Sequence, residues 1–569
     1  MVSKTQHADR RFLEKETGTI RKSWQNRIRI AVVYPNRYHI GMSNLGFQTV
    51  YRLLNEYDDV VCDRAFLPEP DDEGRPVRSL EHGRLLSEFD VVAFSVSFEN
   101  DFPNILTILE TSKLPLGSSG RNYPHPLIIA GGVACWINPE PVSAFIDCFM
   151  IGEAEEILPG FIDVFDPDAD RDPMLRLLAR EVPGVYVPAL YTAIYHKDGT
   201  LQSFEPRADV PVKIKRVCVK DLTRLSTCSS ILTPETTFDQ TYLIEVSRGC
   251  PHGCRFCSAG YIYRPPRFRP ISLLRQCIEH GASITDKIGL VGAAVSDLPG
   301  IGELCRQVAQ QHVTLSFSSL RADALDDDLI SALSYSGVKT ATIAPDAGSQ
   351  RMRNIINKGL TEEQILHAAE ALVAAGIPNL KLYFMIGLPE ETMDDVEAIS
   401  ALCRKIKHCF LKSSRARKRI GEITVSVNPF VPKPFTPFQW VPMNELTEIK
   451  QKIKKIQRDL GSVSNVRVYS GTPRWSYIQA LLSRGDRRVS DVLELCAGNR
   501  GNWRKTLKSS PVNPDFFVYR VRPENELFPW DFIDHGIRKS FLLKELGNAK
   551  SGSVSVSCGG KSCHLCGVC

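Results

Sequence analysis

The sequence predicts an α/β protein with two parallel-sheet regions and a small cysteine-rich tail. Three observations predict it. Strand-like apolar runs alternate with helical stretches across residues 27–165. The alternation returns across residues 236–465 with six further strands. The last stretch, Cys558 to Cys569, carries four cysteines with glycines between them. Alternation of this kind calls for parallel sheets, because each crossover helix returns the next strand in the same direction.

In the first region the strands are Ile28–Tyr34, Val91–Val96, Leu127–Ala130 and Cys148–Ile151, with helices at Ser43–Glu56 and Phe102–Thr111. These predict a doubly wound sheet. Ligands in such sheets bind at the carboxyl ends of strands, where Gly131, Gly132 and the Gly152-Glu-Ala-Glu155 turn lie. Residues 166–235 read as a connector, with Val185–Tyr195 and Thr200–Phe204 forming a hairpin around Asp198-Gly199. In the second region the strands are Tyr242–Val246, Ile288–Val295, Thr314–Ser318, Thr340–Ala344, Leu380–Ile386 and Ile423–Asn428. Six βα units suggest an open, partial (βα)6 barrel, whose active site belongs on loops at the carboxyl ends of the strands. Residues 466–569 read as a helical region ending in a four-cysteine knuckle.

Composition narrows the class. Apolar residues make up 43% and charged residues 24% of 569, ordinary values for a globular protein. No apolar run is long enough to cross a membrane, and the polar first segment is not a secretory signal. Seventeen cysteines in an unexported chain argue for metal ligands and buried thiols rather than disulfides. The expected compartment is the cytoplasm. A net charge of +5 permits an acidic partner without demanding one.

The most informative stretch is Ser247-Arg-Gly-Cys-Pro-His-Gly-Cys-Arg-Phe-Cys257, which spaces its thiols as C-x3-C-x2-C. Gly249, Pro251 and Gly253 rule out a regular helix, so Cys250, Cys254 and Cys257 sit on a loop after a strand. Three thiolates suit three irons of a cubane and leave the fourth open for chemistry. Taken alone, the three cysteines also fit a zinc knuckle or a reduced loop.

With Phe256 before the last cysteine, the motif resembles the signature of radical S-adenosylmethionine (SAM) enzymes. The resemblance implies a [4Fe-4S] cluster whose open iron chelates SAM, and one-electron cleavage of SAM to a 5′-deoxyadenosyl radical. It also implies a flavodoxin- or ferredoxin-type reductant. Weaker motifs follow in the family's order, and the resemblance makes their residues expected SAM contacts. Gly292-Ala293 ends the second strand, Ser319 and Arg321 follow the third, and Asp346 and Ser349 follow the fourth. Gly387 lies in a Gly-x-Pro turn. The later Asn428–Trp440 loop is rich in proline and aromatics, and reads either as a substrate-channel lining or as a packed closing loop.

Residues 27–165 resemble the cobalamin-binding domain fused to many radical SAM enzymes. The family's Asp-x-His-x-x-Gly motif aligns with Asn36-Arg37-Tyr38-His39-Ile40-Gly41. Tyr38 stands at the histidine position while Gly41 is kept, so cobalamin is compatible but lacks its histidine ligand. Tyr38, Gly41, Gly131 and Gly132 mark the expected loop. In the tail, Cys558, Cys563, Cys566 and Cys569 match either a second [4Fe-4S] cluster or a zinc ion. The basic stretch Arg404–Arg419 reads as a solvated face or an RNA-contact loop, and the lysines of Lys450–Arg458 as a solvated helix face. The expected activity is SAM-dependent radical modification of an unreactive carbon, methylation foremost. Methylthiolation or sulfur insertion on RNA or protein, and a non-catalytic cluster-bearing scaffold, are the alternatives.

Overall fold

The computed structural model describes residues 11–72, 74–207, 209–318, 320–414, 421–559 and 563–569. The expected contact Ser319, and Arg415 to Arg419 of the basic stretch, lie outside them. The first sheet has six strands: β1 (Ile28–Tyr34), β2 (Val60–Phe66), β3 (Val91–Ser95), β4 (Leu127–Gly131), β5 (Cys148–Met150) and β6 (Val185–Tyr186). Their order is β2-β1-β3-β4-β5-β6, parallel except for the antiparallel edge strand β6. Val185–Tyr195 is therefore not one hairpin strand. Its start closes the sheet, and only β7 (Tyr191–Tyr195) pairs with β8 (Leu201–Pro206) around the Asp198-Gly199 turn. Helix α1 (Leu45–Glu56) buries Phe47, Tyr51 and Leu54. Asn44 caps it by accepting from the Phe47 N–H at 2.9 Å.

The second region is an open arc of parallel strands in two ladders. One holds β9 (Tyr242–Glu245), β10 (Lys287–Val291) and β11 (Thr314–Phe317). The other holds β12 (Thr340–Asp346), β13 (Asn379–Ile386), β14 (Ile423–Pro429) and β15 (Val466–Ser470). The arc does not close, as expected, and it carries one strand more than the six expected. Along β13, Leu380, Leu382, Phe384 and Ile386 are buried and the residues between them are not. That period of two places the helices α2 (Glu362–Ala374), α3 (Met393–Ser414) and α4 (Leu446–Leu460) on one face only. In α4, Ile449, Ile453, Ile456 and Leu460 form the buried stripe. Lys452 departs from the expected solvated face: it is buried and its Nζ lies 2.7 Å from Glu391. The Asn428–Trp440 loop also packs inward, with Phe430, Phe438 and Trp440 at most 2% exposed. It closes the core rather than lining a channel. Beyond β15 come α5 (Pro473–Arg484) and α6 (Lys539–Lys550). No helix among the described residues is long and apolar enough to cross a membrane.

The two regions are joined through Glu153. Gly152 has φ +148°, and a Cβ there would collide with the Val217 carbonyl, so only glycine admits the connector. The buried Glu153 carboxylate then accepts from Arg248 at 2.8 Å, from Arg267 at 2.6 Å and from the Val219 N–H at 3.0 Å. Burial pushes its pKa up, but the hydrogen bonds and charges of Arg267 and Arg248 outweigh that and hold it below the usual 4.5. A carboxyl with a depressed folded pKa stabilises the protein above its unfolded pKa and loses that contribution as pH falls through the folded one. Glu153→Gln should therefore cost about 3–5 kcal/mol by chemical denaturation at neutral pH. It should also flatten the acid limb of the stability curve below pH 4.5.

Candidate functional site

The three cysteines stand on an excursion between two short strands. Ser247 and Arg248 pair antiparallel with Phe268 and Arg267, and the chain between loops out at the carboxyl end of β9. Short turns support this loop locally, such as Cys257 N–H to Cys254 O at 3.1 Å and Gly260 N–H to Cys257 O at 3.2 Å. Arg255, fully buried between the second and third cysteines, anchors it. Its backbone N–H donates to Ile356 O at 2.9 Å. Its guanidinium donates to Asn354 O at 3.0 Å, Ile355 O at 2.8 Å, Glu545 at 3.1 Å, Ser553 O at 2.7 Å and Ser555 Oγ at 3.1 Å.

Burial pushes the Cys250 thiol up to about 12, with Cys254 and Cys257 adding to it. Burial likewise lifts Cys254 to about 11, where Lys358 and Arg321 oppose the rise and Cys257 adds to it. The thiols are thus electrostatic neighbours. Among the described residues no three such groups converge on a single metal ion. A cubane, wider than one ion, needs thiolates arranged around it, and its positive irons would reverse the burial penalty on the thiolate form. The donor set fits that group.

Near Cys254 the structure gathers three side chains, Lys358, Arg321 and Asp346. Lys358 is buried and its Nζ lies 2.6 Å from Asp346. Asp346 holds φ +61°, a strained value for a non-glycine residue. Arg321 pairs with Asp323 through two bonds at 2.9 and 3.0 Å and donates to Lys358 O at 3.1 Å. Two cations, each paired with a carboxylate, thus neighbour the second cysteine. Across the loop, His252 Nε2 lies 2.6 Å from Asp297 Oδ1, and Asp297 Oδ2 is buried without a protein partner among the described residues.

Other expected contacts are spent on packing. Ser349 caps a short helix, accepting from Met352 N–H at 3.0 Å and donating to Asp395 at 2.6 Å. The Gly387 N–H donates to Glu391 at 2.7 Å, and Asn444 abuts its α-carbon. Gly292 is clasped by Ser318, whose Oγ accepts from its N–H at 3.0 Å and donates to its carbonyl at 2.9 Å. Phe256 packs half-buried against the core. Lys358, His252 and Asp297 escaped the sequence reading. His252 lies inside the cysteine motif, whereas Lys358 sits between a short helix and Gly359 with no periodic signal.

The carboxyl edge of the first sheet faces the cysteine loop across a cavity of about 560 Å³. Gly131, Gly132, Trp136 and Glu153 line one side, and Ser247, Tyr263, Val291 and Ala293 the other. Gly132, at φ +98°, is approached by the chain's own Val96 carbonyl. The other two residues of the expected loop are elsewhere. Tyr38 is buried against Phe12 at 4.0 Å and donates to Glu16 at 2.6 Å, and Gly41 abuts the Phe66 ring. This corrects the grouping: a tyrosine in an apolar core with its hydroxyl already bonded cannot face the cavity. His39 is exposed. Ser247 Oγ and Trp136 Nε1 are buried with no protein partner among the described residues, so the cavity retains polar groups for a ligand.

The tail returns to the cysteine loop. The Cys558 N–H donates to Pro251 O at 2.7 Å, and the Ser555 N–H to Asn357 Oδ1 at 2.9 Å. Burial raises the Cys569 thiol, and Cys558, Cys566 and Cys563 each add to the shift, so the four tail thiols are neighbours. Cys566 is buried, and its carbonyl accepts from Arg538 N–H at 2.9 Å.

The chain is similar to several known proteins. Residues 46–188 match the family model for the N-terminal region of radical SAM proteins, and residues 244–403 that of the radical SAM superfamily. An uncharacterized protein of Methanocaldococcus jannaschii is 32% identical over 470 residues, covering 82% of this chain and 90% of that one. A tRNA-2-methylthio-N(6)-dimethylallyladenosine synthase of Cereibacter sphaeroides is 29% identical over 29% of this chain and 40% of its own length. The solved structure of the radical SAM methyltransferase TsrM from Kitasatospora setae aligns with a TM-score of 0.45 and 12% identity, covering 75% of this chain and 76% of that one.

Arg255→Met would strip the loop of its anchor and leave Glu545 buried without its cation. The expected cost is about 3–5 kcal/mol, read by thermal denaturation, with faster proteolysis after α6 in a timed digest followed by mass spectrometry.

Proposed function

The chain belongs to the radical SAM superfamily, whose members use a [4Fe-4S] cluster and SAM, and we propose that it methylates an unreactive carbon of its substrate by radical chemistry. The observation that carries this reading is the gathering of Lys358, Arg321 and Asp346 over Cys254, at the carboxyl edge of an open parallel arc. Cys250, Cys254 and Cys257 are the ligands for three irons. A [4Fe-4S] cluster held by these three thiolates would supply the one electron for reductive cleavage of SAM.

The chain's own residues bind and orient. Lys358 and Arg321 offer charge-assisted hydrogen bonds to the SAM carboxylate. Asp346, once Lys358 turns to that carboxylate, accepts from the ammonium or the ribose hydroxyls. The His252–Asp297 pair stiffens the loop between the first two cysteines. A cytoplasmic flavodoxin- or ferredoxin-type protein is the electron donor. Cys558, Cys563, Cys566 and Cys569 hold a second [4Fe-4S] cluster or a zinc ion against the cysteine loop. Cobalamin, if it is the methyl source, would occupy the cavity at the edge of the first sheet without a histidine ligand. One observation favours a second reading, sulfur insertion with the tail as sulfur carrier: the tail is bonded directly to the loop at Pro251.

Anaerobically reconstituted, reduced protein should release 5′-deoxyadenosine from SAM, and Cys254→Ala should abolish it. Full iron occupancy with no 5′-deoxyadenosine would sink the proposal. Lys358→Met should raise the KM for SAM roughly 10- to 150-fold, the value of a charged hydrogen bond, with iron content unchanged. Metal analysis should find about eight irons per chain if the tail holds a cubane, against about four irons and one zinc if it holds a structural ion.

A further inference from the structure

The hollow of the arc is an unpartnered sheet face with a distinct chemistry. Residues paired across parallel strands point to the same side, so the register reads out rows of side chains. One row is Thr342, Lys381, Thr424 and Arg467. The next is Tyr383, Ser426 and Tyr469, and the last is Met385 and Asn428. None of these residues is buried, whereas every neighbour between them on β13 and β14 is. Because β12 bulges between Ile343 and Asp346, the row of Thr342 lies roughly 10 Å from the level of Asp346, counted on the partner strand from Lys381 to Phe384. The carboxyl ends of these strands, toward which the row leads, are the end that carries Asp346.

Three features of this face point to one occupant. The ring of Tyr469 stands open to solvent at 55% exposure, and a second ring, Trp475 at 52%, follows six residues later at the start of α5. Exposed rings at a strand end are platforms for flat groups. The charge is positive. Arg467 is paired with Glu422 at 2.7 Å, while Lys381 lies over the Tyr383 ring at 4.9 Å and has no ion pair among the described residues. Arg474, beside Trp475, is exposed. The remaining side chains, Thr342, Thr424, Ser426 and Asn428, are short hydroxyls and an amide that suit ribose 2′-hydroxyls and base edges. An acidic peptide would use the cations but leave the rings idle, and an apolar small molecule would leave both the cations and the hydroxyls unmatched.

We infer that this face binds single-stranded RNA, stacking bases on Tyr469 and Trp475 and offering one of them to the radical site. The inference rests on the reading of that site and names its substrate class.

The test uses the full-length holoprotein, unreduced, and a fluorescein-labelled 20-nucleotide single-stranded RNA of mixed sequence, followed by fluorescence anisotropy. Binding in the micromolar range is expected, and it should weaken as salt rises. Tyr469→Ala and Trp475→Ala should each weaken it roughly 5- to 150-fold, the range for loss of one stacked base. Lys381→Ala should reduce the log–log salt slope by about 0.7. These side chains are exposed or half-exposed, and an unchanged melting temperature for each variant would show that it folds. Absence of binding overturns the inference. So does equal binding of the matching duplex or DNA strand, or full competition by polyglutamate with neutral effects at Tyr469 and Trp475. 5′-Deoxyadenosine release without RNA is measured separately, so failure of the cluster reading and failure of this one are distinguishable.

Discussion

Buried guanidinium groups on both sides of the cysteine loop fix where the three thiols stand. The loop is built of glycine and proline and has no ladder to hold it. Arg248, two residues before Cys250, is tied to Glu153 and Glu155 of the first sheet. Arg255, between Cys254 and Cys257, is tied to the segment after β12 and to the tail. Buried charges of this kind add little net stability, because desolvation offsets most of the attraction. Their value here is positional: each demands its partner, and together they bring three distant stretches of chain to one loop.

That arrangement explains why the site is composite. The thiols come from the loop after β9, the cations from the ends of β11 and from the turn after β12, and the cavity wall from the first sheet. The tail meets the loop at Pro251 and at Arg255. Arg255 has no spare acceptor to lose, so the loop, the turn at 354–356 and the tail behave as one unit. A metal bound at the tail thiols would tighten that unit, since binding free energy adds to folding free energy.

Much of this was legible in sequence, for local reasons. The C-x3-C-x2-C spacing, the parallel alternation and the Asp198-Gly199 turn are short-range patterns that survive any tertiary context. Asp346 and Arg321 come near Cys254 because strand ends in a parallel arc converge. Lys358 was not legible, because only folding brings that turn over Cys254. Ser349 and Gly387 carry capping and packing hydrogen bonds of their own, which sequence spacing does not reveal. β15 escaped notice because Arg467 and Tyr469 face an open hollow, so no apolar run announced it. Tyr38 occupied a motif position, but a hydrogen bond to Glu16 and stacking on Phe12 drew it into the core.

The central claim is that Cys250, Cys254 and Cys257 hold a cluster with one iron left open to SAM beside Lys358 and Asp346. Electron paramagnetic resonance of the reduced protein, with and without SAM, tests it most directly. The account predicts a cubane signal whose g-values move when SAM is added and which disappears in Cys254→Ala. A cubane signal of full intensity that is indifferent to SAM would contradict it.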